Sequence, residues 1–169
     1  GVGKTTLAKL VYDKIVHHFE VHCILENVRE VSVTEHTLVR LQKLLCPILK
    51  ENIENVRDQQ RGIDYTKKCL CNKKVLLVLD DVDQINQIQV LAGKKDWFGM
   101  GSRIIITTRN ERLLVEHDIT LCHNVEVLND AEALELFSLH ALRQDQPEED
   151  FLELSKHFLD YARGLPLAL

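Results

Sequence analysis

Hydrophobic residues recur along this chain with two different periods, which predict helices and strands in alternation. After Lys4 the apolar residues follow one another at three- and four-residue steps, which predicts a helix that ends near Phe19. Helices are also predicted at residues 37–49, whose leucines share one face, at the polar stretch 58–71 and at residues 85–91. Apolar, β-branched runs predict strands at residues 21–28, 75–79 and 103–107, and a short fourth strand at 125–128. This alternation indicates an α/β fold with a parallel sheet.

The pattern changes after residue 128, where predicted helices follow one another with no strand between them. Asn129 and Asp130 suit the cap of a helix over 131–142, whose inner face would carry Leu134, Phe137 and Ala141. A second amphipathic helix is predicted over 151–162, with an inner face of Phe151, Leu154, Phe158, Leu159 and Ala162. The acidic stretch 144–150 is predicted to be a linker. We therefore expect an α/β domain over residues 1–128 and the first part of an all-helical domain over 129–169.

Composition and charge exclude several classes of function. The chain has 169 residues and a net charge of −5, which argues against a nucleic-acid-binding surface with its usual basic stripe. The longest aliphatic run, residues 75–79, is too short to span a bilayer. The cysteines number five and form no CxxC pair, which is typical of reduced thiols and predicts a cytoplasmic protein.

The first six residues carry the strongest chemical signal. They read Gly1-Val2-Gly3-Lys4-Thr5-Thr6, which is the second half of the phosphate-binding motif G-x-x-x-x-G-K-[ST]. Glycines allow backbone N–H groups to approach phosphate oxygens, and the helix that follows directs its positive end toward them. We expect Lys4 to reach the β- and γ-phosphates of a nucleotide and the Thr5 hydroxyl to ligate Mg²⁺.

Polar side chains also follow two of the predicted strands. Asp80 and Asp81 close the apolar run 75–79, at the edge of a parallel sheet where ligands bind. Asp80 is expected to hold Mg²⁺ and Asp81 to orient an attacking water; the alternative is a solvated acidic turn that caps the next helix. Arg109 follows the strand at 103–107 and is expected to sense a γ-phosphate, with a simple surface arginine as the alternative.

Taken together, these motifs resemble the NB-ARC nucleotide-binding module of plant disease-resistance proteins that carry leucine-rich repeats. The resemblance extends over the whole chain, through GVGKTTLA, KKVLLVLDDVDQ, DWFGMGSRIIITTRNERLL and YARGLPLAL. Asp83, together with ILENVRE, resembles the class that has an N-terminal Toll/interleukin-receptor (TIR) domain, since the coiled-coil class usually has tryptophan at this position. The chain departs from the family pattern at Met100, Asn110 and Leu142, which puts local turn and helix geometry in doubt.

The resemblance implies a P-loop NTPase sheet followed by the first part of the helical ARC domain. It implies that the first strand of the sheet precedes Gly1, so that this chain is truncated at its N-terminus. It also implies nucleotide contacts through the following residues: Gly1, Gly3, Lys4, Thr5, Thr6, Arg109 and Pro166. Pro166, in Gly164-Leu165-Pro166, would lie near the adenine.

The resulting hypothesis is an ADP/ATP switch with Mg²⁺, which hydrolyses ATP slowly if at all and belongs to an intracellular immune receptor. Its partners would be the nucleotide, the TIR and leucine-rich-repeat domains of the same protein, and further copies in a homo-oligomer formed on activation. Two alternatives remain open. One is a P-loop ATPase or small-molecule kinase that turns over continuously, and the other is an adaptor whose phosphate loop no longer functions.

Overall fold

The computed structural model describes residues 1–30, 59–117, 119, 121–143 and 149–169. These residues form two compact units, one of Gly1–Thr6 with His123–Leu169 and one of Leu7–Cys122. The helix predicted at 37–49 lies outside the described residues, as does most of the predicted linker. Within the described ranges, no helix is both long enough and apolar enough to cross a membrane.

Helices and strands alternate through the first part of the chain, as predicted. The elements are α1 (Lys4–Ile15) with a 3₁₀ turn (Val16–His18), β1 (Val21–Leu25), α2 (Gln59–Leu70), β2 (Val75–Val82), α3 (Ile85–Leu91), a second 3₁₀ turn (Lys95–Trp97), β3 (Arg103–Thr108) and α4 (Arg112–Glu116). The predicted bounds of α3 are correct, and those of α2 are correct to within one residue at each end. Strand β1 is three residues shorter than predicted.

The three strands form a parallel sheet in the order β1-β2-β3, which confirms the predicted α/β class. Strand β2 pairs with β1 from Val75 to Leu79 on one edge and with β3 on the other. Its first six residues are all buried. A strand that is paired on both edges and covered on both faces needs apolar side chains at successive positions, which explains the unbroken run VLLVL.

Strand β2 continues three residues beyond its predicted end because it contains a β-bulge. Leu79 is paired with Ile106 and Val82 with Thr108, so two residues of β2 lie opposite one residue of β3. The two residues in the bulge are Asp80 and Asp81. A bulge of this kind bends the strand and redirects its side chains, and it is common next to functional sites.

Polar contacts connect the helices of this unit to their neighbours. The Tyr12 hydroxyl of α1 lies 2.6 Å from Nδ1 of His22 on β1. Burial raises the pKa of the Tyr12 phenol, and Cys23 and Asp13 add to this effect. On the surface, Lys67 Nζ of α2 donates to Asp96 Oδ2 at 2.8 Å, and this hydrogen bond lowers the pKa of the Asp96 carboxyl.

The remaining elements are helical, in agreement with the predicted change of pattern after residue 128. They are α5 (Asp130–Phe137), which continues as a π-helix (Ser138–Leu142), α6 (Glu149–Ala162) and a final 3₁₀ turn (Pro166–Ala168). Asn129 caps α5 as predicted, since its side chain accepts a hydrogen bond from the Glu132 N–H while the Glu132 carboxylate accepts from the Asn129 N–H.

The prediction of a strand at residues 125–128 is wrong. These residues have no strand pairing, and the N–H of Leu128 instead donates to the carbonyl of Gly164 at 2.8 Å. Strand propensity reflects packing on a paired surface, so a short β-branched run without a neighbouring strand does not form a ladder.

The predicted inner faces of the last two helices are only partly correct. Ala141 is exposed, and Phe151, Leu154 and Phe158 are each about half exposed. Among the residues of α6 whose burial the structure describes, Ser155 and Ala162 are buried, while Phe158 stacks on Phe137 of α5 with ring centroids 5.7 Å apart. Small residues let the helix lie close to its neighbour, so the large residues beside them remain at the rim.

Because the sheet depends on the packing of β2, we expect Leu77→Ala to destabilise the protein strongly. Leu77 is 2% exposed in the central strand, and truncating such a leucine costs about 2–5 kcal/mol. Leu121→Ala is the matched control, since Leu121 is 94% exposed and such surface changes cost within about 0.5 kcal/mol. Urea unfolding of the two purified variants measures the difference, and equal midpoints would contradict the assigned core.

Candidate functional site

The two acidic residues in the bulge of β2 have different environments. Asp80 is 2% exposed, whereas the side chain of Asp81 is 24% exposed. The backbone of Asp81 is left-handed, with φ of 55°. This conformation is uncommon outside glycine, but aspartate and asparagine tolerate it best among the other residues. An aspartate at position 81 therefore suits the left-handed backbone that the bulge requires there.

Thr107, on β3, contacts both acidic residues. Its hydroxyl donates to Asp80 Oδ1 at 2.7 Å and accepts a hydrogen bond from the Asp81 N–H at 2.9 Å. The residue is 8% exposed. Sequence reasoning did not single out Thr107, although a threonine at the end of a strand next to an acidic strand end was a visible signal. The Asp81 N–H, which lies in the bulge and outside the paired positions, therefore donates to the Thr107 hydroxyl.

Arg109 lies beside Asp81, immediately after β3. Its Nε is 3.3 Å from Asp81 Oδ1, and 72% of its side chain is exposed. The structure thus brings together three of the predicted site residues, Asp80, Asp81 and Arg109, at the carboxyl ends of β2 and β3. Arg109 retains guanidinium N–H donors besides Nε, a geometry that suits phosphate oxygens.

The turn after Arg109 is held by side-chain hydrogen bonds to backbone groups. Thr108 donates to the carbonyl of Val82 at 2.7 Å and accepts from the Asn110 N–H at 3.0 Å. Asn110 Oδ1 in turn accepts from the Arg112 N–H at 3.2 Å, at the start of α4. The family pattern that the chain resembles usually has aspartate at position 110. The Asn110 side-chain oxygen accepts the hydrogen bond that an aspartate oxygen could accept, so this turn forms with asparagine as well.

Asp83, the residue that resembles the TIR-bearing class, has partners in two other elements. Gln87 of α3 donates to Asp83 Oδ1 at 2.9 Å and accepts from the N–H groups of Asp83 and Gln84 at 3.0 and 3.1 Å. Arg29 Nε lies 4.0 Å from Asp83 Oδ2. Gln87 is 3% exposed, so this arrangement fixes the start of α3 directly after the acidic pair.

The predicted phosphate loop is a glycine turn that leads into α1. Gly3 has φ of 88°, and α1 begins at Lys4. Lys4 and Thr5 are partly buried, whereas Thr6 is exposed. The first turn of a helix has backbone N–H groups without partners inside the helix, and these N–H groups attract anions. Gly1 is close to the end of the chain, since a Cβ on it would lie 3.1 Å from Leu167 Cβ.

The segment that contains Pro166 follows a tight left-handed turn at the end of α6. Arg163 and Gly164 have φ of 49° and 69°, and a Cβ on Gly164 would lie 2.2 Å from the carbonyl oxygen of Leu128. Only glycine permits this approach. Pro166 is partly buried and starts the final 3₁₀ turn, where its fixed φ suits the first helical position. The turn therefore helps to set where Leu167 lies next to Gly1.

Two of the predicted site residues carry oxygen donors of the kind that Mg²⁺ prefers. In the part of the chain that the structure describes, no cluster of three or more His, Cys, Asp or Glu residues could hold a metal. Mg²⁺ typically takes one or two protein oxygens and completes its shell with water and phosphate. The carboxylate of Asp80 and the hydroxyl of Thr5 are oxygen donors of this kind.

A parallel sheet whose central strand ends in paired carboxylates, and a GKTT segment that opens a helix, are the features of P-loop nucleotide-binding proteins. A family model described as the NB-ARC domain matches residues 1–147. The chain thus belongs to the NB-ARC family and is a nucleotide-binding module, which confirms the resemblance seen in its motifs.

Individual relatives match the chain over its whole length. Disease resistance protein RPV1 of Vitis rotundifolia is 42% identical over 171 residues, covering 100% of this chain and 12% of that protein. TMV resistance protein N of Nicotiana glutinosa is 40% identical over 176 residues, again 100% of this chain and 15% of that protein. Disease resistance protein RPP2B of Arabidopsis thaliana is 40% identical over 169 residues, or 100% and 14%. The chain therefore spans about one seventh of the length of such relatives.

We expect Gly164→Ala to damage the turn before Pro166 more than backbone strain alone would. Gly101→Ala is the matched control, since Gly101 has φ of 80° but its nearest neighbour is the flexible Lys74 side chain at 3.2 Å. Left-handed strain costs about 1–2 kcal/mol in either variant. Gly164→Ala should exceed this, because the backbone of Leu128 blocks the new methyl group. Thermal unfolding compares the two variants, and an equal loss of stability would show that the close approach to Leu128 has no effect.

Proposed function

We propose that this chain is the ADP/ATP-binding switch module of an intracellular plant immune receptor. The observation that carries the proposal is the cluster at the carboxyl ends of β2 and β3, where Thr107 holds both Asp80 and Asp81 and Arg109 pairs with Asp81. A buried carboxylate, a partly exposed carboxylate and an exposed arginine are three different chemical groups within one small area. They suit a cation, a water molecule and a phosphate respectively.

Each predicted residue has a role in this proposal. Gly1, Gly3 and Thr6 form the phosphate loop with Lys4, whose ammonium binds the β- and γ-phosphates. Thr5 and Asp80 are the residues that would hold Mg²⁺, which neutralises phosphate charge when it is bound. Asp81 orients the water that attacks the γ-phosphate, and Pro166 lies against the adenine. The oxygen donors of Thr5 and Asp80 support the assignment of Mg²⁺.

The pairing of Arg109 with Asp81 supports a slow switch rather than a continuously active ATPase. The two side chains have opposite charge and lie 3.3 Å apart, so each limits the other's freedom to meet a ligand. A γ-phosphate competes with Asp81 for Arg109, and this competition exists for ATP but not for ADP. A ligand shifts a conformational equilibrium only through such differential contacts. Hydrolysis then returns Arg109 to Asp81 and resets the switch.

The switch module would act inside a larger protein. Residues 1–128 would form the nucleotide-binding domain and 129–169 the first part of the helical domain, which α5 and α6 support with their stacked Phe137 and Phe158. TIR and leucine-rich-repeat domains would be further parts of that protein, which would form a homo-oligomer on activation. The names of the relatives support a role in disease resistance, and their lengths, of which this chain covers 12% and 15%, leave room for further domains. A cytoplasmic location fits the cysteines of the described residues, which form no disulfide: Cys23, Cys69, Cys71 and Cys122.

The role of Lys4 predicts that Lys4→Arg in the full-length receptor lowers the amount of co-purified ADP by about tenfold or more, a loss of at least 1.4 kcal/mol. A planar guanidinium does not replace a compact ammonium in a phosphate loop. Lys9→Arg is the matched control in the same helix, because Lys9 instead pairs with Glu26 at 2.9 Å. Nucleotide content after purification, measured by chromatography, compares the two. Unchanged ADP in Lys4→Arg would contradict the assignment of Lys4.

The two carboxylates are expected to fail in different ways. Asp80→Asn should weaken Mg²⁺-dependent nucleotide binding by about tenfold or more, because it removes the charge that attracts the cation. Asp81→Asn, which tolerates the left-handed backbone, should keep nucleotide binding and slow ATP hydrolysis by about a hundredfold. Binding and single-turnover hydrolysis assays separate these effects, and the same defect in both variants would rule out separate roles.

A further inference from the structure

We propose that Thr107 is a positioning residue that holds Asp80 in the orientation needed to bind Mg²⁺ with the nucleotide. This inference rests on the proposed function and extends it to a residue for which the predicted site has no role. Thr107 is in contact with neither a phosphate nor a cation in this proposal. It acts through Asp80 and Asp81, the two residues in the bulge of β2.

The direction of the two hydrogen bonds follows from elementary chemistry. A backbone N–H can only donate, so the Thr107 hydroxyl must accept the hydrogen bond from Asp81 N at 2.9 Å. The single hydroxyl proton is then directed to Asp80 Oδ1 at 2.7 Å, which is a typical length for a hydroxyl donor. Thr107 thus directs its only hydroxyl proton to the Asp80 carboxyl group, which the proposed function assigns to the cation.

Burial makes this hydrogen bond consequential. Asp80 is 2% exposed, so water has little access to replace a lost donor. Removal of the Thr107 hydroxyl would take away a donor to a buried carboxyl group, a loss that costs more in the interior than at the surface. A carboxylate has about four lone-pair directions, so a hydrogen bond from Thr107 restricts its orientation and leaves directions for further contacts, including a metal ion.

Threonine suits the position better than other hydroxyl residues. Its branched Cβ restricts χ1, and it is favoured in strands for the same reason. A serine can make both hydrogen bonds but with more rotational freedom, whereas a valine has the same shape and makes neither. This gives a graded series of substitutions at one site, in which shape and hydroxyl can be separated.

The adjacent Thr108 provides a matched control. Its hydroxyl also bonds across to β2, but it donates to the backbone carbonyl of Val82 at 2.7 Å rather than to a carboxylate. Thr108→Val therefore removes a hydroxyl contact between the same two strands without changing the support of Asp80. Any effect that depends on β3 packing alone should appear in both valine variants.

The test measures Mg²⁺ affinity in the full-length receptor rather than turnover. A fluorescent ADP analogue is titrated onto purified receptor from which nucleotide has been removed, first in EDTA and then at increasing Mg²⁺. We expect Thr107→Val to raise the Mg²⁺ concentration for half-maximal binding by about 10–100-fold, the usual effect of losing a partner of a metal ligand. Affinity in EDTA should stay within about threefold of wild type. Thr107→Ser and Thr108→Val should also stay within about threefold in the Mg²⁺ titration.

The possible outcomes separate this inference from the proposed function. If the wild-type receptor does not bind the analogue, the proposed function fails and the inference fails with it. If it binds the analogue equally well with and without Mg²⁺, the assignment of Mg²⁺ to Asp80 fails, and the role of Thr107 is overturned with it. If wild-type binding needs Mg²⁺ but Thr107→Val behaves like Thr108→Val, only the role of Thr107 is overturned. A Thr107→Ser variant as weak as Thr107→Val would overturn it too. Should Thr107→Val not fold, Thr107→Ala takes its place, because it removes the same hydroxyl without putting a methyl group there. The same expectation applies to it.

Discussion

The packing of β2 between two parallel neighbours is the constraint on which the Leu7–Cys122 unit depends. Leu76, Leu77 and Leu79 are 0–2% exposed, and their burial requires β1 and β3 on the two edges and helices on the faces. Parallel strands end at the same edge of a sheet, so this arrangement also brings together the residues that follow each strand. The core and the site are therefore consequences of one packing requirement.

The bulge in β2 gives the two adjacent acidic residues different environments. A regular strand would send Asp80 and Asp81 to opposite faces of the sheet, with one carboxylate on each side. With two residues opposite one, Thr107 contacts both of them, and Asp81 is left partly exposed next to Arg109. The chain thereby holds one acidic group in the interior and another at the surface, although they are adjacent in sequence.

The features that the sequence predicted well are those determined over a few residues. The apolar run of β2, the short helix α3 and the cap at Asn129 each depend on residues that are close together in sequence. The role of Thr107 depends instead on how β2 and β3 align, since Thr107 and Asp81 are 26 residues apart in sequence. No local sequence pattern encodes the bulge that brings them together. The 125–128 segment was predicted wrongly for a related reason, since a strand forms only where a partner lies beside it. In α6 the spacing of the large apolar residues predicted the helix correctly, but Ser155 and Ala162 are the residues found buried.

The contact between Asp83 and Gln87 implies that a substitution at one position changes the environment of the other. The side chain of Gln87 is buried, donates to the Asp83 carboxylate and accepts from the backbone N–H groups of Asp83 and Gln84. A tryptophan at position 83 has no oxygen to accept from Gln87, and its bulk would need space at the start of α3. A tryptophan there would therefore remove one contact of the buried Gln87 side chain and crowd the first turn of α3. The identity of residue 83 is thus coupled to how α3 begins.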